Sequence, residues 1–362
     1  MVFSMGRKIE NFPPTIFESI LARLRIPYWL SAIIAAVFVG PLGNFLFLFS
    51  LSNDMQSAFY GTFGLNVAES RVPNIQFNVY LFVSNIIWYA FLFYVAFSAR
   101  YLRLRLAKAE PFLTTLVPNS KKTVRKAFHV VSKAYPQIIM TIIFLMVYAT
   151  SVPDLVAKGE LTALSTPIYI LRSLLRSLMF GSVLWLCCAS LWGLYRFGKQ
   201  ELKLKSYQED PMLGTGEMGS LSFSFTFVYF LGLALFSTQM ILGGLAGSTT
   251  SVNLAIVTVL VPAGIGLFLA PLASIHKKMV EAKKSEIAST RKMFSDLVHA
   301  PQPYEKDDQH MIKLLTLDAI ERKAASIRTW PIESPVLGKI TLITISVSAT
   351  MIARFIQILL NI

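Results

Sequence analysis

Apolar residues in this chain do not alternate with polar ones. They gather into seven long blocks: Tyr28 to Leu51, Gln76 to Ser98, Ala134 to Ser151, Ile168 to Tyr195, Leu221 to Gly243, Ser251 to Ile275 and Gly338 to Ile362. A helix rises 1.5 Å per residue, so about twenty residues cross a hydrocarbon core of about 30 Å. Each block is therefore predicted to be a transmembrane helix, the third the shortest and the fourth the longest. A bilayer cannot hydrogen-bond a bare backbone, and the alternating ten-residue strands of a membrane barrel do not recur here. Leu221 to Phe227 does alternate Ser or Thr with apolar residues, but it runs directly into Val228 to Gly243, which is too long and apolar for a strand. The predicted fold class is all-α, a polytopic membrane protein of about seven transmembrane helices.

Between the sixth and seventh blocks lies the one long polar stretch, His276 to Leu337. Its first half, His276 to His299, mixes Lys and Glu and reads as a continuation of the sixth helix. Pro301 and Pro303 break it, and a second helix is expected from about Asp307 to Arg328, capped by Asp307 or Asp308. Met311, Leu314, Leu317, Ile320, Ala324 and Ile327 recur every three or four residues along it. Such a stripe needs an apolar partner, so Met311, Leu314, Leu317, Ile320 and Ile327 are candidates for assembly. Two helices joined by a proline turn predict an antiparallel hairpin, and Trp330-Pro331 marks re-entry at the interface, where Trp is favoured. The expected organisation is a segment 1–27, a six-helix membrane region 28–275, a helical hairpin 276–337 and a seventh membrane helix 338–362. A first apolar block of this length, placed behind 27 residues, is unlike a cleavable signal and is expected to serve itself as the targeting signal.

Charge decides the orientation. Charged residues are only 15% of the chain and apolar residues 54%, against roughly 25% charged in an ordinary soluble domain. The net charge of +14 is read loop by loop rather than as a nucleic-acid signal, because cytoplasmic loops collect Lys and Arg. The head, the second loop (Ala99 to Lys133), the fourth loop (Arg196 to Ser220) and the hairpin hold 28 Lys and Arg, whereas the loops on the other side hold two, Arg71 and Lys158. The N-terminus and hairpin are thus expected in the cytoplasm and Ile362 outside, in a multi-pass protein of the cell membrane. Arg100, Arg103, Arg105 and Lys108, just past the second helix, suit anionic headgroups at the cytoplasmic face; the ordinary positive-inside bias accounts for them equally.

Candidate chemistry is sparse. No Asp or Glu lies in any of the seven blocks, and His129, His276, His299 and His310 are scattered through the expected cytoplasmic parts. Membrane-embedded proteases, metal-dependent hydrolases and proton pumps need such groups within the membrane, so the chain is expected not to be an enzyme and to carry no cofactor or metal. A Schiff-base lysine deep in the last helix is also missing, since Lys339 stands at its inner end. Cys187 and Cys188 are adjacent and point apart on a helix, as apolar filler or as a lipidated or redox-active pair rather than as a disulfide. Gly214-x-Gly216-x-x-Gly219 matches a dinucleotide fingerprint as a string, but it follows no strand and reads as a flexible loop.

Arginines are the exception. Arg172 and Arg176 stand one turn apart in the fourth block and Arg354 lies near the outer end of the seventh. Helical rise puts Arg176 and Arg354 at a similar depth, roughly 12 Å below the outer surface. A bare charge there costs at least about 2.5 to 3.5 kcal/mol, so the three snorkel outward, pair with Asp154, Glu160 or the terminal carboxylate, or line a water-filled outer cavity. Gly40-Pro41 with Gly43 and Asn44 interrupts the first block, and Pro262, Gly264, Gly266 and Pro271 interrupt the sixth. Such breaks are plain kinks or, when paired, mark transporter sites.

Seven helices, an inside N-terminus, a long helical segment before the last helix and a chain that ends with that helix together resemble the insect-odorant-receptor-like seven-transmembrane ion channel superfamily. The likeness is architectural over nearly the whole chain and partial in residues. The superfamily's last helix ends in a pattern resembling Thr-Tyr followed by a Gln-Phe pair; here Thr350 precedes Met351, and the region reads Arg354-Phe355-Ile356-Gln357. The resemblance implies a homo-tetramer anchored through the cytoplasmic hairpin, with the last helix lining a central pore. Thr341, Thr344, Ser348 and Gln357 fall near one face of that helix as candidate pore-lining residues, or as small residues at a helix contact. The expected functions are an oligomeric ion channel or chemosensory channel-like protein, a signalling or scaffold protein that binds a partner through the hairpin, or a solute transporter.

Overall fold

The computed structural model describes residues 12–52, 55–63, 65–67, 75–77, 79–118, 120–131, 133–150, 152–157, 161–206, 209–210, 212–245, 251–299, 307–326 and 329–331, together with the single positions 338, 342, 345 and 349. In chain order its helices are α1 (Ile16–Ala22), α2 (Tyr28–Val37), α3 (Gly43–Ser52), α4 (Met55–Thr62), α5 (Val79–Thr115), α6 (Ser120–Phe128), α7 (Ala134–Ala149), α8 (Val152–Ala157), α9 (Ser165–Gly198), α10 (Gly216–Leu245), α11 (Ser251–His299) and α12 (Asp307–Ala325). A π-helical segment, Phe38–Leu42, joins α2 to α3. Between α4 and α5, β1 (Leu65–Val67) and β2 (Ile75–Phe77) form an antiparallel ribbon with Asn66 opposite Gln76. The extended pairing of Ile75 to Phe77 moves the start of the second apolar helix to Val79.

Among the described residues, five helical stretches are long and apolar enough to cross a membrane: Tyr28–Leu51, Val79–Thr115, Ser165–Gly198, Gly216–Leu242 and Val259–Asp296. Helices of this length and apolarity are those of an integral membrane protein. The sixteen residues of α7 span roughly 24 Å, shorter than a typical core, although its outer stripe is bare apolar surface: Ile138, Ile139, Ile142, Ile143 and Met146 are all exposed. Of the seventh block, Gly338, Leu342, Ile345 and Ala349 are helical and the rest lies outside the described residues.

The 34-residue α9 packs through the middle, touching α3, α5, α6, α7, α10 and α11. Gly181 permits the closest approach to α7: a Cβ there would lie 2.8 Å from the Thr141 amide. One apolar core gathers Leu102, Leu106, Phe128, Leu194, Phe197 and Phe225 at one end of the bundle. A second joins α1 and α2 to α5 and α9 through Phe17, Ala36, Val39, Leu92 and Met179.

The segment before the first membrane helix is built into that end. Thr15 and Glu18 form a reciprocal capping box that starts α1, and Glu18, only 3% exposed, also pairs with Nε of Arg103 at 3.0 Å. Arg103 donates further to the Phe12 carbonyl, and the Ile16 amide donates to Gln137 of α7. Arg105 donates to the hydroxyls of Ser220 and Ser224, while the Arg100 guanidinium lies 4.8 Å from the centre of the Tyr28 ring. Three of the four cations expected to suit headgroups are therefore engaged within the protein.

α11 corrects a sequence expectation. The stretch with Pro262, Gly264, Gly266 and Pro271 runs unbroken through one 49-residue helix. Membrane helices tolerate proline, and next to Pro262 the Tyr229 hydroxyl donates to the Leu260 carbonyl at 2.7 Å, tying α10 to α11. Gly264 is a packing position, since a Cβ there would collide with the Tyr229 ring. A helix this long measures roughly 73 Å, so its second half stands outside a 30 Å core.

Against that half lies α12, antiparallel. The His276 ring stacks on Trp330 with centroids 4.3 Å apart, and its Nδ1 lies 2.7 Å from the Thr329 carbonyl. Lys283 donates to the Ala325 carbonyl, and Arg291 pairs with Glu321 at 2.9 Å. The helix ends at Ala325, short of Arg328.

Candidate functional site

Pro41 has no N–H to give the Val37 carbonyl, and its ring cannot sit in the preceding turn. The chain answers by opening into the π segment, where Gly40 leaves helical geometry at φ −91° and ψ −106°. The opening frees oxygens near the middle of the first apolar helix, which in lipid must find donors.

Arg172 and Arg176 of α9 reach acceptors on both sides of this break. Arg172 donates from Nη2 to Oδ1 of Asn44 at 2.9 Å and from Nη1 to the Gly43 carbonyl at 3.4 Å. Arg176 donates from Nη2 to the Val39 carbonyl at 3.2 Å, and its guanidinium lies 5.4 Å from the centre of the Trp88 ring. Gly43 makes the approach possible, because a Cβ there would lie 3.1 Å from Cδ of Arg172. Around the pair, Tyr89 donates to the Thr62 carbonyl and Tyr169 to the Tyr148 carbonyl.

All these acceptors are neutral. Among the described residues neither arginine forms an ion pair, and the Nε of each is shut from solvent without a hydrogen-bond partner. Two like charges one turn apart raise the local potential together, and a low-dielectric wall screens them little. Such a site attracts an anion and repels a cation.

The arginine pair and the Gly40-Pro41 break are two separate sequence signals that the fold brings together. Val39, Asn44 and Trp88 had no signal of their own as arginine partners; Asn44 lies 128 positions from Arg172. Arg354, Thr341, Thr344, Ser348, Gln357 and Ile327 lie outside the described residues, as does Glu160. Met311 and Leu314 belong to α12, but their side chains are not described; Leu317 and Ile320 are half-buried, Ile320 against the core that holds Met279.

The glycine string begins in a tight turn and runs on into α10. Asp210 accepts from the Met212 and Gly214 amides, and Leu213 and Gly214 both have positive φ, 54° and 80°. Of the amides in the string, Gly214 is held by the Asp210 carboxylate and Thr215, Met218 and Gly219 by backbone carbonyls. Cys187 is buried and Cys188 partly so, both as free thiols.

Comparison with protein families, curated proteins and solved structures finds no match for this chain.

Proposed function

We propose that this chain is a multi-pass protein of the cell membrane, with seven crossings, its N-terminus and hairpin inside and Ile362 outside, and that it works as a channel-like homo-oligomer passing small anions. The observation that carries the reading is the arginine pair: two guanidiniums inside the bundle, held by neutral oxygens of a broken helix. The 28-to-2 split of basic residues supports the orientation. The architectural likeness to the insect-odorant-receptor-like channels supports a last helix lining the pore through Thr341, Thr344, Ser348 and Gln357, with Arg354 added to the positive field. On this reading the protein is not an enzyme and needs no cofactor.

The test is ion flux through liposomes that contain the purified chain. Wild type is expected to pass chloride in preference to potassium, and Arg172→Gln with Arg176→Gln to lose that preference while still conducting. Unchanged selectivity in a well-folded double variant removes the arginines from the path.

A signalling or scaffold role is the second reading, favoured by the apolar residues that the hairpin leaves bare. Ile312 and Leu315 of α12 and Met293 of α11 are 61%, 62% and 57% exposed. A protein of this kind conducts nothing and loses its partner when those residues are made polar. The paired-break pointer to a transporter has only one member, since α11 is continuous.

A further inference from the structure

The short helix α6 connects the long α5 to the lipid-facing α7. Val124, Ala127 and Phe128 on one face are buried, and Lys122, Arg125 and Lys126 on the other are exposed, as is Lys133 at the start of α7. From 111 to 153 the chain has no Asp or Glu at all, and among the described residues none of these cations is in an ion pair. Apart from Glu110 in α5, the adjoining sequence offers this cationic face no acidic residue, so it suits an external counterion.

Its depth follows from packing. Phe128 fills the space above Gly193 of α9, where a Cβ would lie 2.5 Å from the ring. Next to that glycine, Trp192 is 54% exposed and Tyr195 lies 4.3 Å beneath the ammonium of Lys199. Trp and Tyr gather at the membrane–water interface, so α6 is level with the aromatic belt. Ten residues beyond Phe128, the bare apolar stripe of α7 begins at Ile138, with Tyr135, 73% exposed, just before it. Cations at this level meet phosphates before they meet open water.

We infer that α6 lies in the interface and binds anionic phospholipid headgroups through Lys122, Arg125 and Lys126, with Lys133 at the rim. The assignment moves headgroup recognition from Arg100, Arg103 and Arg105, whose guanidiniums face Tyr28, Glu18 and Ser220, onto the next helix. Lipid binding here does not depend on whether the protein conducts. Each cation near an anionic surface strengthens binding roughly fivefold, so removal of three lowers retention by up to about a hundredfold.

The experiment is native mass spectrometry of the purified full chain with equimolar phosphatidylglycerol and phosphatidylcholine. Wild type is expected to retain phosphatidylglycerol preferentially, and Lys122→Gln, Arg125→Gln, Lys126→Gln together to lose the preference at an unchanged melting temperature. Lys122→Arg with Lys126→Arg keeps it. A control triple on the hairpin, Lys277→Gln, Lys284→Gln, Lys292→Gln, removes the same charge and leaves retention intact. Equal retention of both lipids by wild type, or equal loss in the hairpin control, overturns the assignment.

Discussion

At Gly43 a hydrogen is all that fits: a methyl group would press on the Phe38 carbonyl and touch the Arg172 stem. Glycine to alanine in a helix ordinarily gains about 1 kcal/mol. Here the obstructing atom is backbone and cannot swing aside, and overpacking of this kind costs about 1 to 3 kcal/mol, so the second effect wins. Gly43→Ala is expected to lower the melting temperature in detergent and to weaken anion preference in the liposome assay, because Arg172 loses its seat at Gly43 and Asn44. An unchanged melting curve with unchanged selectivity would separate Arg172 from the broken helix. Gly266, where nothing lies within 4 Å of a Cβ, is the matched control and is expected to accept alanine without loss.

At the scale of elements, α12 has two apolar faces, one packed and one bare. Ile320 and Ala324 pack on α11 in the core that includes Met279 and Ile287, whereas Ile312 and Leu315 are bare. Ile320→Asp places a charge in that contact and is expected to loosen the hairpin, seen as faster proteolysis between α11 and α12. Ile312→Asp with Leu315→Asp leaves the hairpin intact and is expected to disperse the homo-oligomer, read by crosslinking. An oligomer that survives the second pair would place the assembly contact elsewhere.

For the whole molecule the governing facts are lengths and sidedness. α5 and α11, at 37 and 49 residues, both outrun a bilayer, and the basic residues lie at the ends that project. Tags at Met1 and within Ala300 to Tyr304 are expected to be cytoplasmic, and one after Ile362 external. Reagents that label intact cells distinguish these positions directly. Protection of the tag after Ile362 would remove one crossing, and with it the seven-span arrangement.

What could be read from the sequence was what depends on local composition. Five of the apolar blocks foretold membrane-length helices because lipid admits apolar side chains and satisfied backbones, a requirement each segment meets alone. Gly40-Pro41 foretold a break for an equally local reason, the missing amide of proline. The same rule misled at Pro262 and Pro271, which stand inside one continuous helix packed against α9 and α10. Which polar groups meet was decided only by tertiary packing: Arg172 with Asn44, Glu18 with Arg103 85 positions away, Arg105 with Ser220. In water such groups would need no protein partner. Inside a helix bundle a donor without an acceptor is costly, so the fold sets the arginines of α9 against acceptors that flank the break in the first helix.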